Sequence, residues 1–124
     1  MLQGLRTVIY PAPDLDRAKA WYSALLGQQP YFDQPFYVGY TVGGFELGLD
    51  PNGPVASPGS GGAVAYWGVS DIDAAFNRLR ELGAGEQSAI QDVGDGIRTA
   101  VLTDPSGNAL GIIENPHFSV EQVR

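Results

Sequence analysis

Few side chains in this sequence are suited to chemistry. Cysteine is absent from the 124 residues, which excludes disulfides, thiolate metal sites and cysteine nucleophiles. His117 is the single histidine and lies in a C-terminal segment, where a surface or docking role is more common than catalysis. With one histidine and no supporting spacing, a Ser-His-Asp arrangement is not indicated.

Glu46 is the acid most suited to a binding or catalytic role. It lies in the run Gly44–Leu49, which predicts a strand. Three roles are open to it: a hydrogen-bonded strand residue, a carboxylate that contacts a ligand, or a metal ligand. A general base would also have to lie close to the proton that it removes. Two other acids, Asp50 and Glu114, lie at the ends of predicted strands. Acids are common there because they help to form turns, so a structural role is expected for both.

Aromatic residues form the second candidate group. Five of them lie within ten positions: Tyr31, Phe32, Phe36, Tyr37 and Tyr40. Core packing is the alternative role for these side chains. Strand alternation places Tyr37 and Tyr40 on opposite faces, and the sequence does not decide which face lines a cavity. We therefore predict both as ligand-binding residues, together with Tyr66, since tyrosine offers apolar area with a polar tip.

The composition narrows the class of protein. The net charge of −7 argues against nucleic-acid binding, because no basic patch is available to neutralise phosphates. An acidic surface either aids solubility or attracts a cationic ligand. No charged leader and no apolar run of membrane-spanning length is present in the sequence. We expect a single-domain cytoplasmic protein without membrane partners.

The sequence contains an internal repeat that must position these residues. Thr7–Leu15 and Val64–Ile72 are each an apolar run with an Asp before the last residue, and each is followed by a helical pattern and Leu-Gly. We predict module one over 1–50, a linker over 51–62, module two over 63–114 and a tail over 115–124.

Each half has the pattern of a strand, a helix and further strands. Asp14 and Ser70 are the predicted helix N-caps, and Gly27 is the predicted C-cap of the first helix. The predicted strands are Arg6–Tyr10, Gln34–Thr41, Gly44–Leu49, Ala63–Val69, Ser88–Val93, Ile97–Thr103 and Ala109–Glu114. The fold prediction is α+β, with two tandem βαβββ modules forming a curved half-open barrel whose concave face is a ligand cavity.

Five motifs in order resemble one superfamily. They are Pro13–Ala18, Trp21-Tyr22 with Leu25–Gly27, Val69–Ala74 with Leu82–Ala84, Gly96–Arg98, and Asp104–Asn108. Together they are similar to the vicinal oxygen chelate superfamily, which includes glyoxalase I, extradiol dioxygenases and bleomycin-resistance proteins. The resemblance covers almost the whole chain. It implies paired βαβββ modules and, very often, a homodimer with sites between modules or subunits.

The resemblance also implies a divalent metal held by His, Glu or Gln side chains on the first and last strands of each module. Carried over one by one, those positions fall on Thr7, Glu46, Val64 and Gly111. Val and Gly side chains cannot bind a metal and Thr does so poorly, whereas a catalytic site usually needs about three protein ligands. We therefore predict no metal and no other cofactor, and we keep the four positions as ligand-binding candidates.

These observations predict a metal-independent small-molecule binding protein of the glyoxalase/bleomycin-resistance type. An aromatic or cationic organic ligand would bind in a concave, aromatic-lined cavity of a homodimer. The alternative is an enzyme of the lyase, isomerase or dioxygenase type. In that case Glu46 would act as a general base or as part of an atypical oxygen-ligand metal site. A third alternative is a partner-binding module without a small ligand.

Overall fold

Each half of the chain folds as a βαβββ module, which confirms the predicted α+β fold class. The computed structural model describes residues 1–53 and 63–119. Most of the predicted linker (54–62) and the end of the tail (120–124) therefore lie outside the described residues. No helix in the described ranges is long and apolar enough to cross a membrane.

The elements follow the sequence repeat. Module one consists of β1 (Thr7–Pro11), α1 (Leu15–Leu26), β2 (Phe32–Gln34), β3 (Tyr37–Val42) and β4 (Phe45–Asp50). Module two consists of β5 (Ala65–Gly68), α2 (Ile72–Glu81), β6 (Gly85–Gly94), β7 (Ile97–Thr103) and β8 (Ala109–Glu114).

The helix ends explain why the repeat is so regular. The Asp14 carboxylate accepts a hydrogen bond from the backbone N–H three residues on, and Gly27 ends α1 with a left-handed φ of 66°. In module two the prediction of Ser70 as the N-cap is wrong, because Asp71 has that role and its carboxylate accepts from the N–H of Ala74. The two helices therefore begin in the same way, at an aspartate.

Each module forms its own four-stranded sheet. The strand orders are β1-β4-β3-β2 and β5-β8-β7-β6. The last strand of each module pairs in parallel with the first strand and antiparallel with the third. Among the described strands no backbone pairing joins the two sheets, so β1 and β5 are sheet edges within the chain.

One face of each sheet packs against the helix of its module. On β3 and β4 the side chains of Val38, Tyr40, Leu47 and Leu49 are buried on that face. In module two Ala100, Leu102, Leu110 and Ile112 are buried on the corresponding face, and Ile72 and Leu79 are the buried residues of α2. Full burial of one such aliphatic side chain contributes about 1.5–3 kcal/mol. We call the opposite face of each sheet its open face.

The two modules share one hydrophobic core and are joined by side-chain hydrogen bonds. The Tyr22 hydroxyl donates to Asp104 at 2.8 Å, and the Asn108 amide donates to the Pro11 carbonyl at 2.8 Å. The indole of Trp21 donates to the Leu82 carbonyl at 2.7 Å. The indole of Trp67 donates to the Tyr10 hydroxyl at 3.1 Å. These four contacts all cross from one module to the other.

Candidate functional site

Glu46 lies on the open face of the first sheet, opposite α1. Its neighbours on β4, Leu47 and Leu49, are buried, and strand alternation turns Glu46 away from Leu47. The strand register places Thr7 of β1 on one side of Glu46 and Thr41 of β3 on the other. The Glu46 side chain is half-buried.

Three hydroxyl groups donate hydrogen bonds to the Glu46 carboxylate. Tyr31 and Tyr37 both donate to Oε2, at 2.7 and 3.0 Å. Thr7 donates to Oε1 over a longer distance of 3.4 Å. We call these four residues the Glu46 cluster. Since a carboxylate oxygen can accept two hydrogen bonds, Oε1 is the atom with capacity for a donor from a ligand.

Two glycines form the floor of the cluster. Gly39 of β3 and Gly48 of β4 are directly paired across the strands. A Cβ atom at Gly48 would lie 2.0 Å from the Tyr37 hydroxyl, and one at Gly39 would lie 2.9 Å from Glu46 Oε2. The tyrosine ring therefore occupies space that any larger residue at position 48 would fill.

The environment raises the pKa of both tyrosines above the ordinary value. Burial and then the hydrogen bond to Glu46 raise the pKa of Tyr37 to about 12. The hydrogen bond to Glu46 is also the main reason why the pKa of Tyr31 is raised. The phenols consequently act as neutral donors, and the only formal negative charge in the cluster is that of the carboxylate.

Further aromatic side chains lie next to the cluster. The Phe32 ring is 6.0 Å from the Tyr37 ring, 5.9 Å from the Phe36 ring and 6.5 Å from the Tyr31 ring, measured between centroids. Tyr31, Phe32 and Phe36 are exposed. The first sheet thus presents a carboxylate beside an accessible group of aromatic rings.

The structure separates the predicted site residues into three groups. Thr7, Tyr37 and Glu46 lie together. Tyr40 lies on the helix-facing side with no exposed area, and its hydroxyl contacts Ser23 Oγ at 2.8 Å and the Lys19 carbonyl at 3.0 Å. Tyr40 is therefore a core residue of module one and does not join the Glu46 cluster.

The third group lies in module two. Tyr66 is paired with Gly111 across β5 and β8, and a Cβ at Gly111 would lie 2.6 Å from the Tyr66 ring. The Tyr66 ring is 48% exposed on the open face of the second sheet. Val64 precedes β5. Among the described residues, no hydrogen bond or ring pair links this group to the Glu46 cluster.

Tyr31 belongs to the aromatic group of the sequence but was not among the predicted ligand-binding residues. It precedes β2 and lies in no periodic pattern, so its direction could not be inferred from alternation. Its backbone N–H donates to the Gly39 carbonyl at 3.0 Å, which brings it alongside β3. The sequence alone does not show that the segment before β2 pairs with the segment around Gly39.

The other candidate acids and the histidine have structural contacts. Glu114 accepts hydrogen bonds from Arg98 at 3.2 Å and from the first backbone N–H of α2 at 3.1 Å, on the helix side of the sheet. Asp50 accepts from the Asn52 N–H at 2.8 Å. His117 contacts the carbonyl of Asp95 at 2.9 Å and is exposed.

The Glu46 cluster lies on an open surface in the single chain. Two shallow recesses of the described residues lie elsewhere. One, of about 340 Å³, lies between α1 and β2–β3 and includes Lys19 and Asp33. The other, of about 170 Å³, lies between the start of α1 and Pro105. Neither recess is lined by a residue of the Glu46 cluster.

A comparison with protein families decides the family of the chain. The sequence model of the glyoxalase/bleomycin resistance protein/dioxygenase superfamily matches residues 4–112. The chain belongs to this superfamily. Among curated proteins, none matches the chain.

Solved structures of this superfamily have the same fold. A lactoylglutathione lyase from Agrobacterium tumefaciens is 20% identical with a TM-score of 0.74, over 96% of this chain and 100% of that one. A bleomycin resistance determinant encoded on the transposon Tn5 is 23% identical with a TM-score of 0.69, over 92% and 99%. A superfamily protein from Alicyclobacillus acidocaldarius is 18% identical with a TM-score of 0.70, over 98% and 97%. At these identities the likeness shows the fold alone, and such a fold supports different activities.

The residues of this chain do not fit the divalent metal that many superfamily enzymes use. Of the four corresponding positions, Val64 and Gly111 offer no ligating side-chain atom, and the hydroxyl of Thr7 is already directed at Glu46. In the described ranges, no group of three His, Cys, Asp or Glu residues could hold a metal ion. Only one of the usual ligands, Glu46, is present.

Proposed function

We propose that this superfamily member is a metal-independent small-molecule binding protein whose ligand is an organic cation with a planar ring. One observation supports this most directly: Glu46, an acceptor held by three hydroxyls, lies beside exposed aromatic rings. A carboxylate forms its strongest hydrogen bonds with charged donors. The rings of Phe32 and Tyr37 supply stacking and cation–π contacts for the rest of the ligand.

The charge of the chain favours the same ligand class. The net charge is −7, and the cluster itself carries a carboxylate without a lysine or arginine among its hydrogen-bond partners in the described residues. The negative potential of the chain attracts cations to the surface and repels anions.

The side chains at the usual ligand positions support metal independence. A homodimer would not change this, because a second copy brings the same Val64 and Gly111. Elemental analysis of protein purified without chelators tests the point. We expect well below one equivalent of transition metal per chain, and tightly bound metal near one equivalent would overturn metal independence.

We also propose that the protein binds its ligand as a homodimer. Small-molecule sites bury most of the ligand surface, whereas the Glu46 face of the single chain is open. Ile9 and Tyr66 are exposed on the open faces, and β1 and β5 are edges that a second copy can cover. Sedimentation equilibrium measures the mass. A monomer at micromolar concentration, with and without ligand, would contradict the dimer.

Three probes of nearly the same shape test the ligand class. Benzamidinium is a planar cation, benzamide is its neutral counterpart and benzoate is the anion. We expect benzamidinium to bind most tightly and benzoate not at all in calorimetric titrations at low salt. Equal binding of the three probes would overturn the proposed ligand class.

A pair of Glu→Gln variants locates the binding. Glu46→Gln removes the charge from the cluster, whereas Glu86→Gln removes an exposed charge from β6. We expect Glu46→Gln to weaken benzamidinium by about tenfold or more, the value of one charge-assisted hydrogen bond, and Glu86→Gln to have no effect. Equal effects of the two variants would show that binding does not depend on Glu46.

The enzymatic alternative has its own test. If wild-type protein converts a bound compound and Glu46→Gln does not, the result would support an enzyme with Glu46 as the base.

A further inference from the structure

We infer that Tyr31 is a built-in competitor of the ligand: its hydroxyl occupies Glu46 Oε2 in the free protein and leaves when the charged group of the ligand arrives. The inference rests on the proposed function, because it concerns how the same carboxylate is made available. It assigns to Tyr31 a role in setting affinity that differs from that of Tyr37.

The two tyrosines are held to the same oxygen in different ways. The Tyr37 ring is half-buried and lies over Gly48, and its strand is paired on both sides. Tyr31 is 62% exposed. It lies just before β2, which is an edge strand of the sheet. Rotation of Tyr31 into solvent gives up only packing contacts with Gly39 and with the exposed Phe32 ring, whereas rotation of Tyr37 would empty a half-buried position over Gly48.

The backbone contact of Tyr31 makes this rotation local. Its N–H donates to the Gly39 carbonyl at 3.0 Å. That hydrogen bond fixes the main chain next to β3 and leaves the side chain free to change rotamer. Because the main chain stays in place, the hydroxyl can return to Glu46 after the ligand dissociates.

The Glu46 carboxylate cannot keep its hydrogen bond with Tyr31 and also bind a bidentate cation through both oxygens. A planar amidinium or guanidinium donates in parallel to both oxygens of a carboxylate. Oε1 can accept a further hydrogen bond, since its contact with Thr7 is 3.4 Å long. Oε2 already accepts from both Tyr31 and Tyr37. With about two acceptor sites per oxygen, Tyr31 is the donor that must leave. A charged donor then replaces a neutral, solvent-exposed one.

Removal of the competing hydroxyl should strengthen binding. We expect Tyr31→Phe to lower the benzamidinium Kd by about 2- to 10-fold, which corresponds to the net value of one ordinary hydrogen bond. Tyr40→Phe is the matched control: it removes a tyrosine hydroxyl from the helix-facing side of β3 and should leave the Kd unchanged. In a Glu46→Gln background, Tyr31→Phe should no longer tighten binding, which a double-mutant cycle measures.

Wild-type protein provides a second readout. The hydrogen bond to Glu46 raises the pKa of Tyr31 in the free protein, so saturation with benzamidinium should return this pKa towards its ordinary value. NMR of protein labelled at the tyrosine Cζ measures the titration of Tyr31 separately from that of Tyr37.

The outcomes distinguish this inference from the proposed function. If Tyr31→Phe weakens binding or leaves the Kd unchanged while Glu46→Gln still weakens it, the competition is overturned and the proposed function stands. An unchanged Tyr31 pKa at saturation overturns the competition in the same way. If benzamidinium binds neither wild type nor Tyr31→Phe, the proposed ligand class fails and the inference fails with it.

Discussion

The hydroxyl of Tyr22, on α1 of module one, donates to the buried carboxylate of Asp104, in the β7–β8 turn of module two, at 2.8 Å. Asp104 is 6% exposed and also accepts from the N–H groups of Ser106 and Asn108 and from the Asn108 side chain. These donors compensate for the desolvation of the carboxylate. One aspartate thus shapes a turn and holds the two modules together.

The first prediction concerns this aspartate. Asp104→Ala leaves the Tyr22 hydroxyl and two turn amides without their acceptor, so we expect the free energy of unfolding to fall by about 3 kcal/mol. Asp92→Ala removes an exposed carboxylate that accepts from the Gly94 N–H and should cost less than about 1 kcal/mol. Urea unfolding measures both values. Equal losses for the two variants would show that Asp104 only shapes its own turn.

The second prediction concerns alkaline pH. Burial, and then the charge of Asp104, raise the pKa of Tyr22 far above its ordinary value. The folded state therefore keeps a proton that the unfolded state loses above pH ~10, and stability should fall as pH rises beyond that value. Tyr22→Phe removes this proton, so we expect lower stability at pH 8 but a shallower decline between pH ~9 and ~11. An identical pH slope in wild type and Tyr22→Phe would contradict the assignment.

The third prediction tests the glycine floor of the Glu46 cluster. Gly48→Ala places a Cβ where the Tyr37 hydroxyl lies, so the ring must move away from Glu46. The pKa of Tyr37, about 12 in the wild type, should then fall towards the ordinary value of about 10. Gly68→Ala is the control, since its Cβ would meet no atom within 4 Å. NMR of protein labelled at the tyrosine Cζ measures the titration of Tyr37 by itself, and an unchanged Tyr37 in Gly48→Ala would show that the close approach is not required.

The fourth prediction concerns the N-cap of α2. Asp71→Ala removes the acceptor for the Ala74 N–H, at 3.1 Å, and should lower the free energy of unfolding by about 1 kcal/mol. Ser70→Ala changes the residue that the sequence favoured as the cap and should have little effect. A larger loss for Ser70→Ala than for Asp71→Ala in thermal unfolding would restore the original assignment.

The fold was predictable because its signals are local. The apolar stripe of each helix, the aspartate before it and the Leu-Gly after it lie within about 15 residues, and the repeat shows them twice. The Ser70 error is of the same local kind. Ser70 and Asp71 are adjacent cap residues, and only the backbone geometry distinguishes them.

The candidate site was less predictable because it depends on which face meets the helix. Alternation separated Tyr37 from Tyr40 without saying which was buried. Leu47 and Leu49 on the neighbouring strand settle this in the structure, because they pack on the same side as Tyr40. Tyr31 depended on pairing between distant segments, which a single sequence does not show.

The order of strands in module one also affects when the Glu46 cluster can form. β4, the last strand of the module, lies between β1 and β3, and the Thr7–Glu46 contact joins residues 39 positions apart. Closing so long a segment costs chain entropy that neighbouring turns do not, so this pairing is expected late in folding. A nascent chain that ends before residue 45 contains both tyrosines but lacks the carboxylate that they hold. The contact of Thr7 with Glu46 is therefore expected only after β4 has been synthesised.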